Sequence, residues 1–315
     1  MASKLQFLMY FIISVFSIFL AVACTSDNDV PFPDSEAPSI DFEGSALTRG
    51  IVNAADDMSA FDVWGWYSPI SGTGTARQVF DATLVSRNGT TWTYDNIQRW
   101  QQGNSYQFYA IYPSFDAECG YESASCDQKG TFTINNFDCS KTGDEAVDLM
   151  TAVRSVECGT DGYPGKVSML FQHELAKVDI VGQSEGSDAY ITGIQLTGII
   201  STGNYVMSEW KLDKTEIVTY TKDGFSLPAV PTNIFGSLLL IPQSVKDIQL
   251  SITYEFPGIA NSSQTQILSL PATPDKWERG KHYQYSFTLK GNYIIFNSPQ
   301  VNEWKEASGG IIIVA

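Results

Sequence analysis

The sequence has few basic residues. Its 315 residues include 19 Lys and Arg against 35 Asp and Glu, which gives a formal net charge of −16. A protein that binds nucleic acid needs a basic face to meet the phosphates. The composition therefore argues against a nucleic-acid partner and suits a soluble or surface-exposed protein.

Histidine is also scarce, and the common catalytic motifs are absent. The chain has two histidines, His173 and His282, which lie in separate predicted strands. It has no HExxH, no GxSxG, no phosphate loop and no dinucleotide fingerprint. His173 shares its strand's apolar face, which favours a core histidine over a catalytic base. We predict no enzyme, no cofactor and no metal site, although the many acidic residues leave open a hydrolase with paired carboxylates.

Cysteine is limited to five residues, with no CxxC spacing and no histidine nearby, so a zinc site is not expected. One of them, Cys24, follows an apolar segment at the N-terminus. Cys119, Cys126, Cys139 and Cys158 form an even set, which favours disulfides in an exported chain and allows three connectivities. Their proximity in sequence favours Cys119 with Cys126 and Cys139 with Cys158.

A sustained helical period is missing after the N-terminal segment. Short alternating runs bounded by Gly, Pro, Asn and Asp recur instead, which predicts an all-β sandwich. In "SYQFYAIYP", Tyr106, Phe108, Ala110 and Tyr112 share one face. The length suits two domains. Residues 119–165 are predicted to be mainly loops, with one short helix at 144–155.

The run "KVSMLFQHELAKVDIVG" changes phase. Val167, Met169 and Phe171 lie on one face with His173, whereas the apolar positions after Leu175 are shifted by one residue. Such a shift predicts a bulge or a crossing from one sheet to another.

The N-terminus has the features of an export signal. Lys4 precedes an apolar run from Leu5 to Ala23, and the small residues before Cys24 resemble a lipobox, the site at which bacterial lipoproteins are cleaved and acylated. We predict a signal peptide over 1–23, lipid attachment at Cys24 and a flexible acidic tether over 24–39. The alternative is a membrane-spanning anchor, because the run is nearly long enough to span a bilayer.

The aromatic residues allow two interpretations. Trp64, Trp66 and Tyr67 could form a platform on which sugars stack. Ordinary packing within a strand explains them equally well, because aromatic side chains suit half-buried pleated surfaces. We favour packing.

Several motifs, in order, resemble the fimbrillins of the Bacteroidetes, the subunits of type V pili. The most specific pair is "DLMTA" followed by "VSMLFQHELAKVDI". The others are "IDFEGSALTRG", "YQFYAIYP", "LLLIPQ", "WERGKHYQYSFTL" and "VNEW", so that the likeness covers most of residues 40–315.

The resemblance implies two tandem transthyretin-like β-sandwich domains, at 40–163 and 164–315. It also implies that an extracellular protease cuts after an arginine and removes the first strand, so that a strand of the next subunit can replace it. Arg49 matches that position, and just upstream Ile40 and Phe42 alternate with Asp41 and Glu43. The alternative for Arg49 is an ordinary exposed loop residue.

The implied protein is a structural or adhesive fimbrial subunit on the outer membrane or in a fimbrium. Its expected partners are other fimbrial subunits, the membrane through a lipid anchor, and a host or bacterial surface ligand. The apolar end of the chain, Ile311 to Val314, is either a strand of its own domain or a donor strand. The alternative function is a glycan-binding surface lipoprotein, which exposed tryptophans would favour.

Overall fold

The computed structural model of the protein describes residues 37–46, 58–116, 118–186 and 189–304. Within these ranges the chain forms β-strands and one 3₁₀ turn, Gly143–Glu145. All the strands belong to the compact unit that begins at Pro38. The strands are β1 Phe42–Ala46, β2 Ala60–Pro69, β3 Arg77–Asn88, β4 Thr91–Thr93, β5 Asn104–Tyr112, β6 Ser123–Cys126, β7 Phe132–Asp138, β8 Met150–Cys158, β9 Val167–His173, β10 Ala176–Glu185, β11 Ala189–Ile200, β12 Thr202–Val206, β13 Glu209–Leu212, β14 Ile217–Lys222, β15 Phe225–Leu227, β16 Thr232–Asn233, β17 Leu238–Leu240, β18 Gln249–Glu255, β19 Gln264–Ser269, β20 Lys281–Lys290, β21 Tyr293–Phe296 and β22 Gln300–Glu303.

Four sheets build the fold. The first sheet has seven strands in the order β1-β9-β8-β5-β2-β3-β4. A six-stranded sheet has the order β16-β10-β20-β21, with β17 also on β10 and β22 on β20, and a five-stranded sheet has the order β14-β11-β18-β19, with β15 on β11. A four-stranded sheet, β13-β12-β7-β6, joins strands distant in sequence. The prediction of an all-β sandwich is confirmed, whereas the division into two tandem domains at 163/164 stays a prediction.

The predicted crossing between sheets is found directly after His173. Strand β9 belongs to the first sheet and β10 to the six-stranded sheet, with only Glu174 and Leu175 between them. Alternate residues of β9 are buried, and the buried face changes at β10. The phase shift in the sequence therefore marks the point where the chain leaves one sheet for another.

Glu174 lies buried at this crossing and connects elements from distant parts of the chain. Its carboxylate accepts hydrogen bonds from Thr151 Oγ1 at 2.6 Å and from Arg279 Nη1 at 2.8 Å. Its backbone oxygen accepts a bond from Trp210 Nε1 at 3.0 Å. Burial raises the pKa of Glu174, and the bonds from Thr151 and Arg279 oppose that rise.

The helix predicted at 144–155 is wrong. Only the short 3₁₀ turn forms there, and Met150–Cys158 is strand β8, which pairs with all nine residues of β5. Residues Thr151, Val153 and Val156 are β-branched, and the ladder with β5 satisfies backbone groups that a short isolated helix would leave to water. The neighbouring stretch predicted as loops also contains β6 and β7.

Two groups of buried apolar side chains form the cores. One is enclosed by the first sheet and includes Ile40, Phe42, Phe108 and Phe171. The other spans the remaining sheets and includes Trp64 on the opposite face of the first sheet. The first sheet thus packs on both faces, which accounts for the run of buried residues along β2.

Candidate functional site

The strand β1 lies at one edge of the first sheet, and it is the described part of the segment predicted to be removable. It pairs in parallel with β9 alone among the strands of that sheet, with Phe42 opposite Val167. Ile40 is fully buried and Phe42 is 2% exposed, whereas Asp41 and Glu43 face solvent. The alternation read from the sequence is therefore found, with the apolar face inward.

Backbone hydrogen bonds hold residues 38–41 on both sides. The Ile40 N–H donates to the Gln98 carbonyl at 2.9 Å, and the Trp100 N–H donates to the Pro38 carbonyl at 3.2 Å. On the opposite side, the Val167 N–H donates to the Asp41 carbonyl at 2.7 Å. The segment therefore fills a gap between the loop at 98–100 and β9.

The Phe42 ring occupies an aromatic cage. It makes edge-on contacts with Phe80 at 5.2 Å, Phe108 at 5.6 Å, Tyr94 at 5.9 Å and Phe61 at 6.2 Å between ring centroids. Such ring pairs stabilise the folded protein by more than the burial of their apolar area alone. Without β1, this cage would be an apolar groove open along the sheet edge.

The groove narrows at Gly44. A Cβ atom built there would lie 3.1 Å from a ring carbon of Phe61 and 3.3 Å from a ring carbon of Trp92. Any larger residue at this position would have to displace these rings. The groove thus accepts a large side chain at the position of Phe42 and only a small one two residues later.

The Tyr94 hydroxyl links the segment before β1 to the loop at 98–100. It donates to the Ile40 carbonyl at 2.8 Å and accepts from the Gln98 N–H at 3.2 Å. Burial raises the pKa of Tyr94 to about 12, so the hydroxyl keeps its proton and remains a donor near neutral pH. These groups can bind an extended strand, and the buried lining of the groove offers apolar contact rather than acid–base chemistry.

Two residues and one segment with roles predicted from the sequence lie outside the described part of the chain. They are Cys24, Arg49 and the apolar end at 311–315. The structure places β1 only three residues before Arg49 in sequence. Their predicted roles in lipid attachment, cleavage and strand donation stay predictions.

The four remaining cysteines are buried free thiols in this structure, so neither Cys119–Cys126 nor Cys139–Cys158 is bonded in it. Cys139 belongs to the larger core and Cys158 to the core of the first sheet. Burial raises the pKa of Cys126 and of Cys139 to about 12, which makes both thiols poor nucleophiles. The pairing stays a prediction for an oxidising environment.

The platform suggested for sugar stacking is not exposed. Trp64 is 3% and Trp66 is 7% exposed, and Trp64 packs edge-on against Phe132 at 5.5 Å. These tryptophans therefore pack within the fold, as we favoured. The glycan-binding alternative loses the feature that would have supported it.

Both histidines are paired with carboxylates. His173 Nδ1 lies 2.8 Å from Asp148 Oδ1 and its ring stacks on Trp304 at 3.8 Å, so that it is a core histidine as predicted. His282 Nε2 lies 2.8 Å from Asp179 Oδ2. Burial acts to raise the pKa of Asp179, but the bonds from His282 and Ser237 together outweigh it and lower the pKa.

The described residues contain no group of three or more His, Cys, Asp or Glu that could hold a metal. Each of the four buried carboxylates has its own polar partner: Asp62 bonds to the Phe115 N–H, Asp148 to His173, Glu174 to Arg279 and Asp179 to His282. None of these bonds joins two carboxylates. The described residues also include no helix long and apolar enough to cross a membrane.

Sequence reasoning found the strand but missed most of its surroundings. The parallel partner β9 is more than 120 residues away in sequence, as the pairing of Phe42 with Val167 shows. The roles of Tyr94 and of the loop at 98–100 depend on long-range packing. The one available signal was Gly44 at an inward position, where an alternating strand would otherwise carry an apolar side chain.

Comparison with known proteins gives a consistent result. The fimbrillin-like family matches residues 48–304. A fimbrial protein from Bacteroides vulgatus has a similar structure, with a TM-score of 0.56 and 16% identity over 84% of this chain and 99% of the other. A candidate cell adhesion protein from Bacteroides ovatus has a TM-score of 0.60 and 16% identity, covering 86% of this chain and 99% of the other. No curated protein matches the chain.

Proposed function

The chain belongs to the fimbrillin-like family, and from that premise we propose that it is a structural and adhesive fimbrial subunit that assembles by strand exchange. The observation that carries this proposal is β1, an edge strand whose inward residues fill an aromatic cage. The names of the family and of the two similar structures describe fimbrial and adhesion proteins rather than enzymes.

In the proposed precursor, export and lipid attachment at Cys24 place the protein on the outer membrane, and β1 closes the groove. Cleavage after Arg49 then separates β1 from the rest of the chain. A strand that binds only through non-covalent contacts can be exchanged for another.

Strand addition supplies the affinity for assembly. The main chain of an incoming strand would take over the hydrogen bonds of β1 to β9 and to the loop at 98–100, and its inward side chains would fill the cage. Ile40 and Phe42 each contribute about 1.5–3 kcal/mol through burial before ordering costs. An incoming strand that buries more apolar area than these two residues would replace β1 with a net gain.

The C-terminal run Ile311 to Val314 is either an intrinsic last strand or the donor strand of this proposal. The partners of the protein would be other fimbrial subunits, with a surface ligand at the exposed end of the fimbrium. Truncation of residues 311–315 distinguishes the two roles. Loss of assembly with unchanged monomer stability supports a donor, whereas a destabilised monomer supports an intrinsic strand.

Limited trypsin digestion tests the cleavage step. The full chain carrying Cys24→Ser would be digested and followed by N-terminal sequencing and electrophoresis, with Cys24→Ser/Arg49→Gln as the matched control. We expect a new N-terminus at Gly50 and detergent-resistant ladders that the control does not form. A chain that is cut after Arg49 and stays monomeric contradicts strand exchange, and a chain that resists cutting there contradicts the processing step.

A further inference from the structure

A second apolar pocket lies on the face of the first sheet opposite to the β1 groove. It has a volume of about 350 Å³ and is lined by Asp62, Trp64, Ala82, Leu84, Phe115, Ser123 and Ala124. Leu84 is 50% exposed and Phe115 is 61% exposed, so both stand open to solvent at the pocket. Together with the buried Trp64 they give the pocket an apolar wall.

The pocket contains one buried carboxylate. Asp62 is 6% exposed, and its Oδ2 accepts a hydrogen bond from the Phe115 N–H at 2.7 Å. Its other oxygen, Oδ1, makes no hydrogen bond to any described residue. No lysine or arginine is among the residues that line the pocket. The structure therefore holds a largely buried carboxylate that has no lysine or arginine partner among the residues lining the pocket.

The surroundings of Asp62 disfavour its ionised form. Burial raises the pKa of Asp62, the hydrogen bond from Phe115 opposes the rise, and the nearby carboxylate of Asp116 adds to it. A cation at the pocket would reverse this effect by stabilising the ionised carboxylate. The lining thus favours a ligand that carries positive charge at the end of an apolar stem.

We propose that this pocket binds a lysine or arginine side chain of a protein partner. The cationic head would pair with Asp62, and the apolar stem would lie between Trp64, Leu84 and Phe115. The charge contact would select a cationic side chain over a neutral one of the same length. This inference does not depend on the exchange of β1, which lies on the other face of the sheet.

The position of β6 indicates how a partner would approach. This strand is at the end of the four-stranded sheet, and no described strand pairs with its outer edge. Two of its residues, Ser123 and Ala124, line the pocket. A peptide that adds to this edge would therefore pass the pocket and could insert one side chain into it.

Binding of short peptides tests the proposal. The probe is the acetylated and amidated peptide Val-Thr-Lys-Val-Thr, its control replaces Lys with the neutral isostere norleucine, and n-butylamine represents a free amine. Titration calorimetry on the full chain carrying Cys24→Ser should show the lysine peptide binding about tenfold or more tightly than the norleucine peptide. n-Butylamine should bind more weakly than the lysine peptide, because it cannot pair with β6.

Two variants and one matched control locate the site. Asp62→Asn keeps the shape and the acceptor for Phe115 and should remove the preference for lysine. Asp223→Asn, the same change on an exposed carboxylate between β14 and β15 and outside the pocket lining, should alter affinity by less than about twofold. Phe115→Ala should weaken both peptides, and because Phe115 is largely exposed this variant tests the site even if Asp62→Asn fails to fold. Equal binding of the two peptides, an unchanged lysine preference in Asp62→Asn, an unchanged affinity in Phe115→Ala, an equal loss in Asp223→Asn, or n-butylamine binding as tightly as the peptide would each overturn the proposal.

Discussion

Replacing Phe42 with alanine should destabilise the uncleaved protein by about 3–5 kcal/mol, the usual cost of removing a buried phenylalanine. Phe42 is 2% exposed and its ring contacts four aromatic rings at 5.2 to 6.2 Å. The truncation would leave a cavity that these large rings cannot fill without moving. A domain has a total stability of about 5–15 kcal/mol, so the loss should be easy to measure.

Urea unfolding of the full chain carrying Cys24→Ser, followed by circular dichroism, measures this effect. Glu43→Ala is the matched control, because Glu43 is the next residue in β1 and faces solvent. The control should change the free energy of unfolding by less than about 0.5 kcal/mol. If the two variants unfold at the same urea concentration, β1 does not contribute to the core and our account of the groove is refuted.

Three further predictions concern the groove and the buried charges. Gly44→Val should destabilise by about 1–3 kcal/mol in urea unfolding because it overpacks the groove, whereas Gly193→Val, where a Cβ meets nothing within 4 Å, should cost clearly less. Arg279→Ala should reduce the free energy of unfolding by about 1–3 kcal/mol at neutral pH, less than the loss of a fully buried ion pair, because Arg279 is 41% exposed. This loss should shrink as the pH falls through the raised pKa of Glu174. A loss that is the same at all pH values contradicts the pairing of Arg279 with the Glu174 carboxylate. The lowered pKa of Asp179 contributes stability that is present above its usual value of 3.8 and is lost as the pH falls through the lower folded-state pKa. Asp179→Asn should therefore reduce the acid dependence of unfolding, and an unchanged acid profile would contradict the pairing.

Local patterns in the sequence predicted the strands well, because alternation of side chains follows directly from strand geometry. The alternation in β5 and β9 and the phase shift after His173 gave the buried faces and the crossing between sheets. The helix predicted at 144–155 failed because the pairing of β8 with β5 outweighs local preference.

Long-range features could not be predicted in the same way. The four-stranded sheet joins β7 to β12, strands separated by more than sixty residues, as the pairing of Asp138 with Thr202 shows. The pocket at Asp62 depends on β6, on Leu84 and on the loop that carries Phe115. No short-range pattern brings these residues together, so the unpaired carboxylate becomes visible only in the folded structure.

The most direct test of the central claim is the mass and N-terminal sequence of the subunits in assembled fimbriae sheared from cells that make this protein. Our account predicts subunits that begin at Gly50 and lack Ile40 and Phe42. Fimbriae built from subunits that still carry these residues would contradict the exchange of β1.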